Sequence, residues 1–284
     1  MEKISPTPYP EVNSVLDLLL VQVKEILQGQ FVGMYLFGSL ANGDFDQYSD
    51  IDVLIVTEHT ISDETFDALY KIHEWISTKD SPWTIQLEVS YIPRDSLYLF
   101  DPSNNQHPHI DRGPGETLRI AKHDAGWIIQ RYILRKRGIT ITGPDPRTLI
   151  APVSLVTLRL AVLCILQNWI RHFLDHPDEL KGRGYQSYTV LTLCRILFTL
   201  EQGDIVSKHA AAEWAKHNLN EKWTALIERA WTGRQTPGLD AGPEDIDGTL
   251  NFIRYAMEYG SWHHDNPNAA LLHNIKDERS IVAH

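Results

Sequence analysis

Cysteine is scarce in this chain, whose 284 residues include two, Cys164 and Cys194. Both lie in apolar stretches with helical spacing, and so sparse a pair does not indicate a disulfide framework. The N-terminal segment MEKISPTPYPEV lacks the basic residues and apolar run of a signal peptide. No apolar run is long enough to cross a bilayer. We therefore expect a cytoplasmic protein that has no membrane partner.

Basic residues are also in short supply. Lysine and arginine together number 26 against 37 aspartates and glutamates, which gives a formal net charge of -11 at pH 7. Because binding to nucleic acid needs a basic surface, this balance argues against a nucleic-acid partner. An acidic surface is compatible with a cationic small molecule as substrate.

The hydrophobic pattern changes near residue 150 and predicts two domains. In the first part we expect strands at 31–38, 51–56 and 83–93, helices at 11–29, 63–78 and 121–138, and an irregular stretch at 94–118. After a proline-rich connection we expect only helices, at 154–174, 185–203, 207–218, 220–233 and 245–263. The predicted fold class is α+β: residues 1–150 form a domain with a small mixed sheet and helices, and residues 151–284 form an α-helical bundle.

Two aspartates stand at the head of a predicted buried strand, in the segment SDIDVLIV. Residues two apart on a strand point to the same side, so Asp50 and Asp52 project together while Ile51 faces the other way. Two carboxylates this close repel each other unless a cation lies between them. Magnesium suits such a site because it prefers hard oxygen ligands and combines one or two carboxylates with substrate phosphates.

Nearby residues complete a predicted site for a nucleoside triphosphate. The turn at Gly38 and Ser39 offers backbone amides and a hydroxyl to a phosphate chain, and Ser49 offers a second hydroxyl. Glu88 lies on the third predicted strand, in the segment TIQLEVSYI. If this strand lies beside the second one, Glu88 can reach the metal-bound phosphate and accept a proton from an attacking hydroxyl as general base.

These segments resemble a known family. GSLANGDFDQYSDIDVLIV resembles the glycine-serine turn and D-x-D signature of polymerase-β-type nucleotidyltransferases. The strand LEVSYI, the element TGPDP and the segment YTVLTLCRILFTLEQGDIVSKHAAAEWAKHNL resemble the bacterial aminoglycoside adenylyltransferases that modify streptomycin and spectinomycin. The resemblance covers most of the chain, from residue 30 to residue 260.

The resemblance implies magnesium-dependent transfer of AMP from ATP to a hydroxyl group of a small, cationic, aminoglycoside-like molecule. It implies that Asp50, Asp52 and Glu88 are the catalytic carboxylates and the metal ligands. The implied nucleotide contacts are Gly38, Ser39, Ser49, Arg195, Lys208 and Tyr255. The resemblance also implies that the helical domain, residues 151–284, closes over the substrate or the nucleotide, and we expect a monomer or a weak oligomer.

Two other functions are also considered. The first is nucleotidyl transfer to a protein, as in adenylylating antitoxins, although these are usually shorter and lack a dedicated helical domain. The second is a regulatory protein that binds a nucleotide without catalysis. The presence of all three carboxylates argues against the second function, because an inactive site has no reason to keep them together.

Overall fold

A computed structural model of the chain describes residues 5–262. Residue 263, predicted as helical, and the unassigned segment after it lie outside the described residues. The chain forms two compact units, one ending at Pro152 and the other beginning at Val153. Between residues 5 and 262, none of the helices combines the length and the hydropathy that a bilayer crossing requires.

The first unit is built on a six-stranded sheet. Its strands are β1 (Phe31–Leu36), β2 (Ile51–Thr57), β3 (Leu87–Pro93), β4 (Gln106–Ile110), β5 (Arg119–Lys122) and β6 (Ile139–Thr142). Their order is β5-β4-β3-β2-β1-β6, in which β2 and β3 run parallel and the other neighbours are antiparallel. The predicted mixed sheet and the α+β class are confirmed.

Helices in this unit cover the sheet and connect its strands. They are α1 (Pro10–Leu27), α2 (Gly38–Asn42), α3 (Asp63–Ser77), α4 (Arg94–Tyr98), α5 (Gly126–Arg137) and α6 (Pro146–Leu149). The Ser62 hydroxyl accepts a hydrogen bond from the backbone N–H of Thr65, which satisfies one free donor at the start of α3.

Alternation along β3 decides which side chains enter the core. Leu87, Val89 and Tyr91 belong to a buried apolar cluster that also includes residues of α1 and α3. Because successive strand residues point to opposite faces, Glu88 lies on the face away from this cluster. The same alternation places Ile51 in the core and Asp52 on the Glu88 side.

Three of the six strands were not predicted, and β3 begins at Leu87, four residues later than expected, because Thr84–Gln86 form a 3-10 helix. β4 lies inside the stretch 94–118 that we predicted to be irregular, and β5 includes Ala121 and Lys122, where we predicted the start of a helix. That helix begins at Gly126. β6 was not predicted. These strands are short, and Pro108 breaks the usual strand pattern in β4; such segments become strands through pairing with neighbours, which periodicity does not detect.

The second unit is helical, as predicted. Its helices are α7 (Leu155–Asp175), α8 (Arg183–Gln202), α9 (Lys208–Asn218), α10 (Thr224–Gly233) and α11 (Pro243–Trp262). The buried carboxylate of Asp245 accepts hydrogen bonds from Arg183 and Arg229. Separating these helices would leave a buried charge without its partner. The two bonds therefore hold the start of α11 against α8 and α10.

A buried histidine joins α3 to the sheet and gives the protein a predicted pH dependence. His73 Nε2 lies 2.8 Å from the Tyr91 hydroxyl, and burial lowers the pKa of His73 to about 4. The unfolded chain binds this proton near pH 6.5, whereas the folded chain binds it only near pH 4. The stabilisation is therefore complete above pH 6.5 and is lost as the pH falls toward 4, by about 3 kcal/mol in total.

Urea unfolding at pH 7 and pH 4.5 measures this effect. The free energy of unfolding should fall more between these pH values in the wild type than in His73→Gln, which has no group to titrate. His59→Gln, at an exposed histidine, should keep the wild-type pH dependence. Equal pH dependence in the wild type and His73→Gln would refute the assignment.

Candidate active site

Three carboxylates converge at the start of β2 and β3, on the face that points away from the apolar cluster shared with α1 and α3. One oxygen each of Asp50, Asp52 and Glu88 lies within 4.8 Å of the others, and each side chain is half-buried. In the part of the chain that the structure describes, this is the one group of three acidic, histidine or cysteine residues close enough to share a metal ion. The predicted convergence of these three residues is present in the structure.

Strand register explains the convergence. β2 and β3 pair in parallel with Asp52 directly opposite Glu88. Directly paired residues on neighbouring strands point to the same face, so these two carboxylates are adjacent. Asp50 precedes β2 by one residue and lies on the same side as Asp52. One strand pairing thus brings Asp52 and Glu88 together although they are 36 residues apart in the sequence.

The electrostatics of the cluster favour a cation. Burial raises the pKa of Glu88 well above its ordinary value, and the charges of Asp52 and Asp50 raise it further. Asp111 adds to the effect, whereas Arg112 acts in the opposite direction. A divalent cation would stabilise the ionised form of all three carboxylates and remove this penalty.

Gly38 allows the backbone to approach the carboxylates. Its φ is +63°, and a Cβ at this position would lie 1.7 Å from Oδ2 of Asp52. Any other residue would therefore meet both backbone strain and a direct clash. The Phe37 backbone N–H donates to the Asp52 carbonyl, which holds the turn against β2.

The two predicted serine contacts differ in their surroundings. The Ser39 hydroxyl is buried and has no hydrogen-bond partner among the described residues. Buried hydroxyls are nearly always paired, so this one suits a ligand such as a phosphate oxygen. The Ser49 hydroxyl is 3.1 Å from Asp46 Oδ1, to which it donates, and it accepts from the Asp46 backbone N–H. Ser49 thus holds the turn that leads into the aspartates.

Sequence reasoning missed several residues beside the carboxylates because it missed β4. His109 lies on β4 with Nδ1 2.7 Å from the Ser90 hydroxyl and Nε2 3.1 Å from Asp111 Oδ1. Asp111 also forms an ion pair with Arg119. Arg112 places its Nε 3.8 Å from Asp50 Oδ2. The one signal in the sequence was the segment HIDRG, in which charged residues directly follow a short apolar element.

The remaining predicted contacts lie in the second unit. Arg195 is partly buried on α8, and Lys208 is the first residue of α9, with Nζ 4.7 Å from the centre of the Tyr188 ring. Tyr255 lies on α11 with its ring centre 5.4 Å from that of Trp223. Their contacts with a nucleotide stay predictions.

Both parts of the chain match models of known protein families. Residues 19–104 match a nucleotidyltransferase domain, and residues 148–255 match the C-terminal domain of aminoglycoside adenylyltransferase. A spectinomycin 9-adenylyltransferase of Staphylococcus aureus is 31% identical over 231 residues, which cover 78% of this chain and 84% of that protein. This chain belongs to the aminoglycoside adenylyltransferase family. It is therefore a nucleotidyltransferase.

Other relatives agree with this family assignment. An aminoglycoside (3'') (9) adenylyltransferase of Escherichia coli is 23% identical over 256 residues, which cover 86% of this chain and 94% of that protein. The crystal structure of the spectinomycin adenyltransferase AAD(9) of Enterococcus faecalis with ATP and spectinomycin has a TM-score of 0.66. It is 17% identical and covers 87% of this chain and 98% of its own, so it shows that the two share a fold.

The predicted site residues lie within the ranges that match the two family models. The nucleotidyltransferase range includes Asp50, Asp52 and Glu88. The aminoglycoside adenylyltransferase range includes Arg195, Lys208 and Tyr255. Each predicted residue thus lies in a segment that belongs to the family.

Proposed function

We propose that this enzyme transfers AMP from ATP to a hydroxyl group of an aminoglycoside-like antibiotic, with magnesium as its cofactor. The observation that carries the proposal is the convergence of Asp50, Asp52 and Glu88 within 4.8 Å on neighbouring parallel strands. Its relatives named as adenylyltransferases of spectinomycin and aminoglycosides support the same reaction.

The donor set fits magnesium. Three carboxylate oxygens are hard ligands, and a site of this kind leaves positions for water and for substrate phosphates. Asp50, Asp52 and Glu88 would hold the ion, which neutralises their repulsion and draws electron density from the phosphate oxygens. The orphaned Ser39 hydroxyl and the close backbone approach at Gly38 support a phosphate chain beside the same carboxylates.

Glu88 is proposed as the general base. The acceptor hydroxyl gives its proton to a Glu88 carboxylate oxygen, and the hydroxyl oxygen forms a bond to the α-phosphorus of ATP. The bond between the α-phosphorus and the bridging oxygen to the β-phosphorus breaks, and pyrophosphate leaves with that electron pair. With the cation bound, the repulsion from Asp50 and Asp52 would be neutralised and Glu88 would be ionised, which is the form that can accept a proton.

The helical domain, residues 151–284, is proposed to close over the nucleotide. Arg195 and Lys208 carry the positive charge that a triphosphate needs, and Tyr255 offers an aromatic face to a base. The net charge of -11 supports a cationic acceptor. Both cysteines are buried and free, which supports the cytosol as the place of action.

A transfer assay with a panel of acceptors tests the proposal. The purified protein is incubated with magnesium, ATP labelled at the α-phosphate, and spectinomycin, streptomycin or other aminoglycosides. We expect labelled drug and one pyrophosphate per transfer, with at least one member of the panel. Label on protein would favour the antitoxin-like reaction, and ATP binding without pyrophosphate release would favour the regulatory alternative. Either outcome would reject the proposed reaction.

A further inference from the structure

The loop after β4 brings a cation to the carboxylate cluster. Arg112 follows Asp111 directly after β4, and the backbone N–H of Gly113 donates to the carbonyl of Ile85 at 2.8 Å. Gly113 has a φ of +134°, so the chain turns sharply after Arg112. This anchor holds Arg112 near the start of β3, because Ile85 lies two residues before Leu87, the first residue of that strand.

The contacts of Arg112 are weak and few. Its Nε lies 3.8 Å from Asp50 Oδ2, which is at the long end of an ion pair, and its side chain is 45% exposed. One terminal nitrogen donates to the Tyr48 carbonyl at 3.2 Å. A guanidinium has five N–H groups in a planar fork; the hydrogen bond to Tyr48 uses one of them, and the Asp50 contact is beyond hydrogen-bond distance. An exposed, loose pair contributes little stability, so exchanging its partner costs little.

Arg112 and a divalent cation compete for the same carboxylate. Asp50 is one of the three residues that would hold the ion, and it is also the carboxylate paired with Arg112. When a cation binds Asp50, the Arg112 guanidinium loses its anionic partner. The loop still holds this guanidinium beside the site. The anion that enters such a site together with magnesium is the phosphate chain of the nucleotide.

We propose that Arg112 is a substrate-binding residue that exchanges Asp50 for the triphosphate when the metal and the nucleotide bind. This inference rests on the proposed function and adds a phosphate contact from the nucleotidyltransferase domain itself. Planar guanidinium groups bind phosphate oxygens through paired hydrogen bonds, which suits this role. In the free protein the same side chain lies beside the carboxylate cluster and offsets part of its charge through the contact with Asp50.

Two binding measurements on Arg112→Gln test the exchange. Affinity for α,β-methylene ATP with magnesium, measured by calorimetry, should fall about tenfold, since one charge-assisted phosphate contact is lost. Affinity for Mn²⁺ alone, measured by electron paramagnetic resonance, should rise about threefold, since the competing cation is gone. Adenosine affinity should not change, because the proposed contact is with phosphate. Arg112→Lys should lie between the wild type and Arg112→Gln.

Arg94→Gln is the matched control. Arg94 is 43% exposed and pairs with Glu58 at 3.2 Å, so the variant removes one positive charge from the same unit without touching Asp50 or Asp111. It should keep wild-type affinity for both ligands. Thermal unfolding of Arg112→Gln should stay within about 2 °C of the wild type, because the lost pair is exposed.

The possible outcomes separate this inference from the proposed function. If Arg112→Gln binds the ATP analogue as tightly as the wild type, Arg112 is a counter-charge of the loop and the inference is wrong, while the proposed function stands. If the Mn²⁺ affinity of Arg112→Gln does not rise, the inference that Arg112 and the cation compete for Asp50 is wrong. If the wild type binds no nucleotide, both proposals fail.

Discussion

Replacing Glu88 by glutamine should lower AMP transfer about 1,000-fold, since a general base contributes roughly this much. Glutamine has the same shape as glutamate but cannot accept the proton of the acceptor hydroxyl. The side chain lies on the face of β3 away from the apolar core, so the fold should tolerate the change. At saturating magnesium, affinity for an ATP analogue should change less than about threefold, because the two aspartates and the phosphate contacts remain.

A pyrophosphate-release assay with spectinomycin or another accepted drug measures the loss. Glu88 is also a proposed metal ligand, so the assay is repeated at rising magnesium concentration. A lost base cannot be restored by more metal, whereas a lost ligand can. Glu74→Gln, at an exposed position on α3, should behave as the wild type. Normal turnover by Glu88→Gln would show that another group takes the proton.

Replacing Asp52 by asparagine should have opposite effects on activity and on stability. Asp52 lies directly opposite Glu88 and is the charged neighbour that raises the Glu88 pKa most. Without it the site loses a metal ligand, and transfer should fall about 1,000-fold. In EDTA the variant should nevertheless be more stable than the wild type by roughly 1 kcal/mol, or about 2–4 °C in Tm, because a repulsion is removed.

Thermal unfolding with and without a divalent cation tests the expected effect of Asp52→Asn on stability. Magnesium or Mn²⁺ should raise the Tm of the wild type by binding the folded state, and should raise that of Asp52→Asn much less. Asp67→Asn on the exposed face of α3 should show the wild-type response. If Asp52→Asn gains as much from the cation as the wild type does, the three carboxylates do not form the metal site.

Much of the fold follows from local pattern. The long helices α1, α3, α7 and α8 and the strands β1 to β3 lie close to their predicted positions, because each has strong periodicity over many residues. β4, β5 and β6 could not be found in this way. β4 includes Pro108 and two buried or half-buried histidines, and its strand geometry depends on hydrogen bonds to β3.

The candidate site could likewise be predicted from the sequence only in part. Asp50 and Asp52 could be assigned to one side of a strand because spacing along a strand has a period of two. The partnership with Glu88 was conditional on β2 and β3 being neighbours, which the structure shows. Arg112 could not be found, because its position depends on β4 pairing with β3 and on the anchor from Gly113 to Ile85.

The fold class, the two kinds of domain and the three acids follow from short segments of the chain, because side-chain periodicity, turn chemistry and family motifs are local properties. Three contacts depend instead on the folded chain: Glu88 lies opposite Asp52, the Gly38 backbone approaches the Asp52 carboxylate, and Arg112 lies beside Asp50. Strand register and loop anchoring bring distant residues within a few ångströms, and both are set by pairing and packing between segments, which the periodicity within one segment does not reveal.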